Sequence, residues 1–403
     1  MRTTFNIALG LALLHAADDA FLHRQPGVEL STHAPAAGLV AVLAAAAFVL
    51  FGRLRPGLQA ALALSYGSLA LTNGALHAIH VSRDGASGSD LTGLLAVVAG
   101  GALIAVGIAA VARGRGSRPH VWRNRAIAVV AGVPLALLSV VPVGVAITQT
   151  HKYREPIGAP PSSAYRAVSF DSSDGLRLAG WYHPSRNGAA IVIVHGGGGD
   201  RTGGLRQARM LVRHGYGVLV YDSRGRGESE GNHNAYGWGW ERDVAGALDF
   251  LESQPDVKRG IAGLGLSTGA DVLLDVAARD RRVRALVSDG ATGRSSADLQ
   301  VTDAFTKASF HVMFAAVRVL SGTPQPSESL EDIVPKVAPT PLLLVSTTRG
   351  PERDFNRLYG AAARGPAELW DLPDVHHTAA VRERAAEYER RVVGLFDRAL
   401  LSR

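Results

Sequence analysis

Cysteine is absent from the 403-residue sequence. Its absence excludes disulfide bonds, metal sites built on thiolates and a catalytic cysteine, although it does not indicate a cellular compartment. The sequence also lacks low-complexity tracts and internal repeats of about 20–50 residues, so repeat architectures are excluded.

A clustered basic surface is missing as well. The formal net charge is +7, but much of the arginine excess lies between apolar segments, without the interleaved aromatic residues that nucleic-acid binding uses. We therefore expect no nucleic-acid partner, and we attribute the basic residues to membrane topology.

Long apolar runs are abundant, and they are confined to the first part of the chain. Residues 5–147 consist largely of Ala, Leu, Val and Gly, whereas charged and amphipathic segments have ordinary globular frequencies from residue 152 onward. We predict an all-α transmembrane helical domain over residues 1–150 and an α/β domain over residues 151–403.

Apolar runs close to the ~20 residues that a helix needs to cross a bilayer cover residues 34–51, 58–79, 91–111 and 126–147. A shorter run over residues 5–20 ends in Asp18 and Asp19. We interpret it as an uncleaved span rather than a signal peptide, because no small-residue cleavage site followed by soluble sequence is present. The sequence predicts a multi-pass cell-membrane protein with four to five spans.

Arginine placement predicts the orientation of the spans, since cytoplasmic loops accumulate Lys and Arg. The basic residues flanking the apolar runs are Arg53 and Arg55 in one loop, Arg83 in the next, and Arg113, Arg115, Arg118, Arg123 and Arg125 in the third. We expect the first and third loops in the cytoplasm, which makes the α/β domain extracytoplasmic, although Lys152 and Arg154 favour the opposite side.

Ionisable residues collect at the outer ends of the predicted spans: His15, Asp18, Asp19, His23, His33, His77, His80 and Asp90. Such residues near lipid are energetically costly and often functional. His77 and His80 are three residues apart on one helical face, a spacing compatible with a metal or headgroup site. Because polar groups are the normal anchors at membrane interfaces, we expect these side chains to be solvated at helix ends instead.

Short aliphatic runs alternate with helical segments after residue 164. A strand pair around the turn DSSDG opens the domain, followed by AIVIV, VLVY, IAGLGL, ALVS and PLLLVS. Continuous aliphatic strands separated by helices predict a mostly parallel sheet covered on both faces, which is a three-layer α/β fold.

Two segments fit the G-x-S-x-G pattern of a nucleophilic serine, GLSTG at 265–269 and GESEG at 227–231. Ser267 follows a predicted strand and precedes a predicted helix, as a nucleophile turn requires. Ser229 lies in the Gly-Arg loop DSRGRGESEG, which favours an ordinary turn serine. We therefore predict Ser267 as the nucleophile.

A serine nucleophile needs donors for the oxyanion and a base. The backbone amide of Thr268 at the helix start is one donor, and Gly197 in HGGGGD is the second. This glycine-rich loop lacks the Lys-Ser/Thr pair of a phosphate loop. The base is expected after the last strand, where DVHHT supplies both His376 and His377.

Together, HGGGGD, YDSRGRGES, GLSTG and HHT resemble the α/β-hydrolase superfamily, in particular its dienelactone-hydrolase and prolyl-oligopeptidase-like branch. The resemblance covers about residues 165–403. It implies that the DSRGRGES segment is structural and that His377 rather than His376 is the base. The superfamily's usual acid position carries Arg349 and Gly350 here.

The acid of the triad therefore has three candidates. Glu352 is our choice, with Asp289 and Asp354 as alternatives, because any carboxylate within hydrogen-bond reach could orient the histidine. The segment 291–338 has helical apolar spacing and is predicted to be a cap over the pocket, with packing on the core or on the spans as an equal alternative.

The function expected from these residues is a membrane-anchored serine hydrolase that cleaves an ester, thioester or amide through an acyl-enzyme. It needs neither a metal nor an organic cofactor, and its substrate is expected to be a small or lipid-like acyl compound. The alternatives are an NAD(P)-dependent oxidoreductase, because GLGLSTG also reads as G-x-G-x-x-x-G with Asp289 downstream, and an inactive hydrolase-fold binding module.

Overall fold

A computed structural model of the chain describes residues 1–24, 27–112, 118–151, 154, 156–301, 303–348 and 350–402. Contacts divide the chain into two units, Met1–Tyr153 with Ala304–Thr323, and Arg154–Asp303 with Pro324–Arg403. Arg113, Arg115, Lys152 and Arg349, on which parts of the topology and acid predictions depend, lie outside the described residues.

The first unit begins with six α-helices in its described part: α1 Arg2–Ala17, α2 Leu30–Leu50, α3 Pro56–Asp84, α4 Asp90–Ala112, α5 Arg118–Leu135 and α6 Val141–Thr150. In that part, four helical stretches are long and apolar enough to cross a membrane: Arg2–Leu22, His33–Arg53, Asp90–Ala112 and Val121–Thr150. The shorter predicted run at residues 5–20 is among them. The predicted span 58–79 lies within α3, which is not one of these four stretches.

Helix α3 packs closely along α4 through paired glycines. A Cβ on Gly74 would lie 2.7 Å from the Gly93 carbonyl oxygen, and a Cβ on Gly100 would lie 2.9 Å from the Gly67 carbonyl oxygen. Small residues allow two helices to approach this closely, so side chains larger than glycine would push α3 and α4 apart.

The ionisable side chains at these helix ends are not solvated as the sequence led us to expect. His15, Asp18, His33, His77 and Asp90 are buried within the structure. The expectation was wrong for these residues. The ends of α1, α3 and α4 pack against one another and bury all of them except His33, which lies on α2.

The helices after residue 200 are α7 Leu205–Arg213, α8 Trp240–Glu252, α9 Thr268–Arg279, α10 Ala304–Ser321, α11 Leu330–Val337, α12 Pro351–Ala362, α13 Ala380–Glu383 and α14 Ala385–Phe396. The strands are β1 Arg166–Asp171, β2 Arg177–His183, β3 Ala189–Val194, β4 Gly217–Tyr221, β5 Gly260–Leu266, β6 Val283–Asp289, β7 Leu342–Thr347 and β8 Ala367–Leu372.

Across the described ranges, these eight strands form one sheet in the order β1-β2-β4-β3-β5-β6-β7-β8. β1 and β2 form the predicted antiparallel hairpin, β2 pairs antiparallel with β4, and the other neighbouring strands are parallel. The prediction of a mostly parallel sheet is confirmed.

Two apolar clusters cover the two faces of the sheet. Val192 and Val194 of β3 belong to the cluster that includes residues of α8, α9, α11 and α12, whereas Ile191 and Ile193 belong to the cluster with α7 and α14. Alternate side chains of a strand point to opposite faces, so a strand buried on both faces has no polar position. This explains the continuous aliphatic runs and gives three layers.

The carboxyl ends of β3, β5, β6, β7 and β8 meet along one edge of the sheet, because these strands are parallel neighbours. The order of the strands reverses at β3, because the strand that follows it in sequence, β4, lies on one side of it and the next, β5, lies on the other. In open α/β sheets, ligands bind at this kind of switch point. The loops after β3 and β5 contain Gly197 and Ser267.

The predicted cap segment is divided between the two units. α11 packs on α9 and contributes Leu330, Ile333 and Val334 to the core of the second unit. α10 belongs to the first unit, where it packs against α2 and α6. A role for residues 291–338 as a cap over the substrate stays a prediction.

Candidate active site

Ser267 occupies a strained turn between β5 and α9. β5 ends at Leu266 and α9 begins at Thr268. The backbone of Ser267 has φ 53° and ψ −122°, a conformation that non-glycine residues rarely adopt. Such strain costs about 1–3 kcal/mol and is concentrated at functional sites. The Ser267 amide donates to the Asp289 carbonyl oxygen at 2.8 Å, which ties the turn to the end of β6.

The two glycines of the GLSTG motif are required by close backbone contacts. A Cβ on Gly265 would lie 2.4 Å from the Gly269 carbonyl oxygen, and a Cβ on Gly269 would lie 2.2 Å from the Val194 carbonyl oxygen. These distances are far shorter than van der Waals contact, so larger residues cannot be accommodated without moving β3 or β5. The motif therefore reports the crowded geometry of this turn.

The glycine-rich loop after β3 lies beside this turn. A Cβ on Gly196 would lie 3.3 Å from the Cβ of Ser267, and one on Gly197 would lie 2.7 Å from the Oγ1 of Thr268. The Thr268 hydroxyl donates to the Ala235 carbonyl oxygen at 2.9 Å. The structure thus brings together Ser267, Thr268 and Gly197, as the predicted oxyanion site requires.

His195 holds the glycine-rich loop, a role that sequence reasoning missed. Its Nε2 accepts a hydrogen bond from the Ser223 amide at 3.0 Å, so its Nδ1 carries the proton and donates to the Gly196 carbonyl oxygen at 2.8 Å. Burial lowers the pKa of His195 to about 4, which keeps the ring neutral. The sequence feature that could have indicated this role is the position of His195 directly before four glycines.

His377 is paired with Glu352 at the same edge of the sheet. The His377 Nδ1 and the Glu352 Oε2 are 2.7 Å apart. Glu352 lies in the first turn of α12, where the helix dipole favours a negative charge, and its carboxylate is buried. It also accepts hydrogen bonds from the Thr347 amide at 2.7 Å and the Thr347 hydroxyl at 2.8 Å.

This pairing determines the chemistry of the imidazole. A carboxylate only accepts hydrogen bonds, so the Nδ1 of His377 carries the proton and the Nε2 keeps its lone pair for a proton from another group. The hydrogen bond to Glu352 raises the pKa of His377, and the charge of the carboxylate adds to this effect against burial. The ring can therefore accept a proton and be stabilised once charged.

Gly290 links the His377 ring to the Ser267 turn. It follows Asp289, whose carbonyl oxygen binds the Ser267 amide. A Cβ on Gly290, where φ is 77°, would lie 3.0 Å from the Cε1 of His377. In the described residues no hydrogen bond joins the Ser267 hydroxyl to His377. In ligand-free enzymes this bond is often long and tightens only with substrate.

Comparisons with known proteins support the same fold. A family model described as "Serine aminopeptidase, S33" matches residues 185–334, which include Ser267 but neither Glu352 nor His377. The esterase Pf2001 of Pyrococcus furiosus superposes with a TM-score of 0.50 at 18% identity, covering 62% of this chain and 99% of that chain. The second unit has the α/β-hydrolase fold. Its predicted placement in the dienelactone-hydrolase and prolyl-oligopeptidase-like branch stays a prediction.

Two curated relatives of this chain are described as uncharacterized proteins. The protein YfhR of Escherichia coli (strain K12) is 28% identical over 248 residues, which are 58% of this chain and 80% of the relative. The protein Rv2307c of Mycobacterium tuberculosis is 33% identical over 166 residues, so that the chain spans only 58% of that relative's length. The comparisons support hydrolase activity without indicating a substrate.

Asp289, predicted as an alternative acid, lies nearby in a different environment. It is fully buried at the end of β6, and the Tyr388 hydroxyl donates to its Oδ2 at 3.0 Å. Burial raises the pKa of Asp289 to about 7, and the charge of Glu352 adds to the increase. Glu352, and not Asp289, is the carboxylate hydrogen-bonded to His377.

Two further predicted candidates lie away from this pair. The His376 side chain is 84% exposed, and its Nδ1 is 2.9 Å from the Glu383 carboxylate. Asp354 is exposed on α12, two residues after Glu352. The structure does not bring either side chain to the Ser267 turn.

The second G-x-S-x-G match is structural, as predicted. Ser229 is completely buried, its hydroxyl donates to the Asp222 carbonyl oxygen at 2.6 Å, and it accepts from the Ala179 amide at 2.9 Å. Asp222 in turn accepts hydrogen bonds from the backbone and the guanidinium of Arg201. These contacts connect the loop after β4 to β2.

Proposed function

We propose that this chain is a membrane-anchored serine hydrolase with Ser267 as nucleophile, His377 as base and Glu352 as acid. One observation carries the proposal: the hydrogen-bonded pair of His377 and Glu352 lies at the sheet edge that also holds the strained Ser267 turn. A base oriented by a buried carboxylate, at the same sheet edge as a half-buried turn serine, is the arrangement that acyl transfer requires.

In the proposed mechanism, the His377 Nε2 takes the proton of the Ser267 hydroxyl as its oxygen attacks the acyl carbon. The Gly197 and Thr268 amides donate to the oxyanion that forms. Protonated His377 gives its proton to the leaving alcohol, thiol or amine, and an acyl-enzyme remains. Water then attacks this ester with His377 as base, which releases the acid and restores the serine.

Membrane anchoring is supported by apolar side chains on the surface of the first unit. Val42 is 67% exposed, and Leu91 and Val130 are each 73% exposed. An exposed apolar surface of this kind suits lipid rather than water. A lipid-like or small hydrophobic acyl substrate is consistent with such an anchor, and the arginine-rich loops support an extracytoplasmic hydrolase domain.

Labelling with a fluorophosphonate probe tests the catalytic proposal. We expect wild-type protein to be labelled and to hydrolyse short p-nitrophenyl esters, and Ser267→Ala to lose both activities. His377→Ala and His376→Ala form a matched pair of neighbouring histidines, and only the first change should abolish labelling. NAD(P) binding without labelling would instead support an oxidoreductase, and folded protein with neither activity would support a binding module.

Sidedness is tested separately with a membrane-impermeant fluorophosphonate. Labelling in intact cells at the level seen after lysis supports an extracytoplasmic domain. If labelling requires lysis, the orientation inferred from the arginine loops is wrong, while the catalytic proposal stands.

A further inference from the structure

A buried cluster of imidazole and carboxylate groups lies in the first unit, far along the chain from the residues of the hydrolase proposal. His15 is on α1, Asp19 follows that helix, and His77 is on α3. The side chains of His15, His77 and Asp19 are 1%, 5% and 14% exposed. One nitrogen or oxygen atom of each lies within 4.8 Å of the other two.

The spacing of these atoms matches that of metal ligands. The Asp19 Oδ2 is 3.4 Å from the His77 Nε2 and 3.6 Å from the His15 Nε2. Ligands about 2.0–2.2 Å from a tetrahedral zinc ion are separated from each other by about 3.3–3.6 Å. The two separations from Asp19 match this range, and the ligand atoms of the two imidazoles lie within 4.8 Å of each other, so one ion could contact all three atoms.

The outer nitrogen of each imidazole has an acceptor that orients the ring. The His77 Nδ1 is 3.1 Å from an Asp90 carboxylate oxygen. The His15 Nδ1 is 3.2 Å from the Thr92 hydroxyl, which donates to Asp18 at 2.5 Å. Histidine ligands commonly donate their second N–H to a carboxylate or a similar acceptor, which leaves the other nitrogen's lone pair for the metal.

The His15 Nε2 provides an independent indication of a ligand. It is buried, and in the described part of the chain it has no hydrogen-bond partner. A buried polar atom without a partner is rare in native proteins and calls for an explanation such as an ion. This nitrogen is 3.6 Å from the Asp19 Oδ2, and the His15 ring centroid is 4.4 Å from that of His77.

We propose that His15, Asp19 and His77 bind one divalent transition-metal ion. Two imidazoles and one carboxylate are a donor set that suits zinc, and a fourth position is available for water or another ligand. The ion would connect α1 to α3 at their polar ends. Gly93 of α4 is part of this site, because a Cβ there would lie 2.2 Å from the Cγ of His77.

Metal analysis of the full chain tests this proposal. The protein is purified in detergent without a polyhistidine tag, stripped with a chelator and titrated with Zn²⁺ against a fluorescent zinc chelator. We expect one zinc ion per chain, and Co²⁺ in its place should show the intense visible absorption of tetrahedral cobalt. His77→Ala and the nearly isosteric Asp19→Asn should each weaken binding by more than about 100-fold.

Two control variants distinguish this site from adventitious binding. His311→Ala removes an exposed histidine of the same unit and should leave zinc binding unchanged. Ser267→Ala should also bind one zinc ion, so the result is independent of the hydrolase proposal. Equal zinc binding by wild type and by folded Asp19→Asn, or no binding by wild type, would overturn the metal site. Elution in size-exclusion chromatography reports folding.

Discussion

Replacement of Glu352 by Gln is the sharpest test of the proposed site. The change preserves the size of the side chain but removes its charge and turns one acceptor oxygen into an NH₂ donor. The Glu352 Oε1 accepts from the Thr347 amide, a donor that cannot be reversed. The glutamine oxygen is therefore expected to take this position, which turns the NH₂ group toward His377.

This arrangement favours the wrong tautomer of the histidine. Facing an NH₂ group, the His377 Nδ1 must become the acceptor, so its proton moves to Nε2 and blocks acceptance of the Ser267 proton. The corresponding change in a serine protease triad lowers kcat by about 10⁴-fold, and we expect a loss of about 10³–10⁴-fold here. At ~1.36 kcal/mol per factor of ten, this is about 4–5 kcal/mol of transition-state stabilisation.

The assay is the pH dependence of kcat/KM for a short p-nitrophenyl ester. The free base is the active form of His377, so activity should rise with pH through its raised pKa. Loss of Glu352 removes the group that raises this pKa, so the acid limb should move to lower pH in Glu352→Gln. Asp354→Asn removes an exposed carboxylate from the same helix and should change neither rate nor profile.

The reasoning is refuted if Glu352→Gln stays within about tenfold of wild type at all pH values. A large loss in Asp289→Asn together with an active Glu352→Gln would identify Asp289 as the acid instead.

Three further changes test the surrounding structure. The folded pKa of Asp289, about 7, exceeds its ordinary value of 3.8, so the contribution of this group to stability falls as pH rises. Between pH 5 and pH 8, the free energy of unfolding of wild type should therefore fall by about 2–3 kcal/mol relative to that of Asp289→Asn, as measured by unfolding at each pH. Gly269→Ala should prevent correct folding because its Cβ meets the Val194 carbonyl, whereas Gly198→Ala faces open space and should fold normally, as judged by probe labelling. Ser229→Ala should lower the free energy of unfolding by about 1–3 kcal/mol, because the buried groups that bind the Ser229 hydroxyl lose their partner. The variant should keep fluorophosphonate labelling, and a loss of labelling would contradict a purely structural role for Ser229.

The fold was predictable because its signals are local. Aliphatic runs buried on both faces identify parallel strands, and the GLSTG segment identifies a strand-to-helix turn, since crowding there excludes side chains at Gly265 and Gly269. The same reasoning assigned a structural role to Ser229, because this serine lies within a glycine-rich loop and not directly between a strand and a helix.

The choice among carboxylates was not predictable in the same way. Asp289 ends β6, and Glu352 and Asp354 follow β7, whose end lies at the same edge of the sheet. Of the two on α12, the winding of the helix determines that Glu352 and not Asp354 faces His377. The doublet of His376 and His377 is similar, since a positive φ at Thr378 accompanies the turn that separates the two rings.

Long-range packing of helices was the least predictable feature. The spacing of His77 and His80 suggested that these two residues form a pair, but both contact Asp90, and His77 faces His15 from another helix. The apolar face of α10 was visible in the sequence, whereas its partners α2 and α6 were not.

The position of α10 also affects how this protein can be dissected. The chain leaves the first unit near residue 153, returns to it for Ala304–Thr323 and leaves it again. Truncation at the obvious boundary would therefore strip an amphipathic helix of its packing partners and favour aggregation of the fragment. A soluble version of the second unit would need a short hydrophilic bridge in place of that excursion, so the first unit cannot simply be cut away.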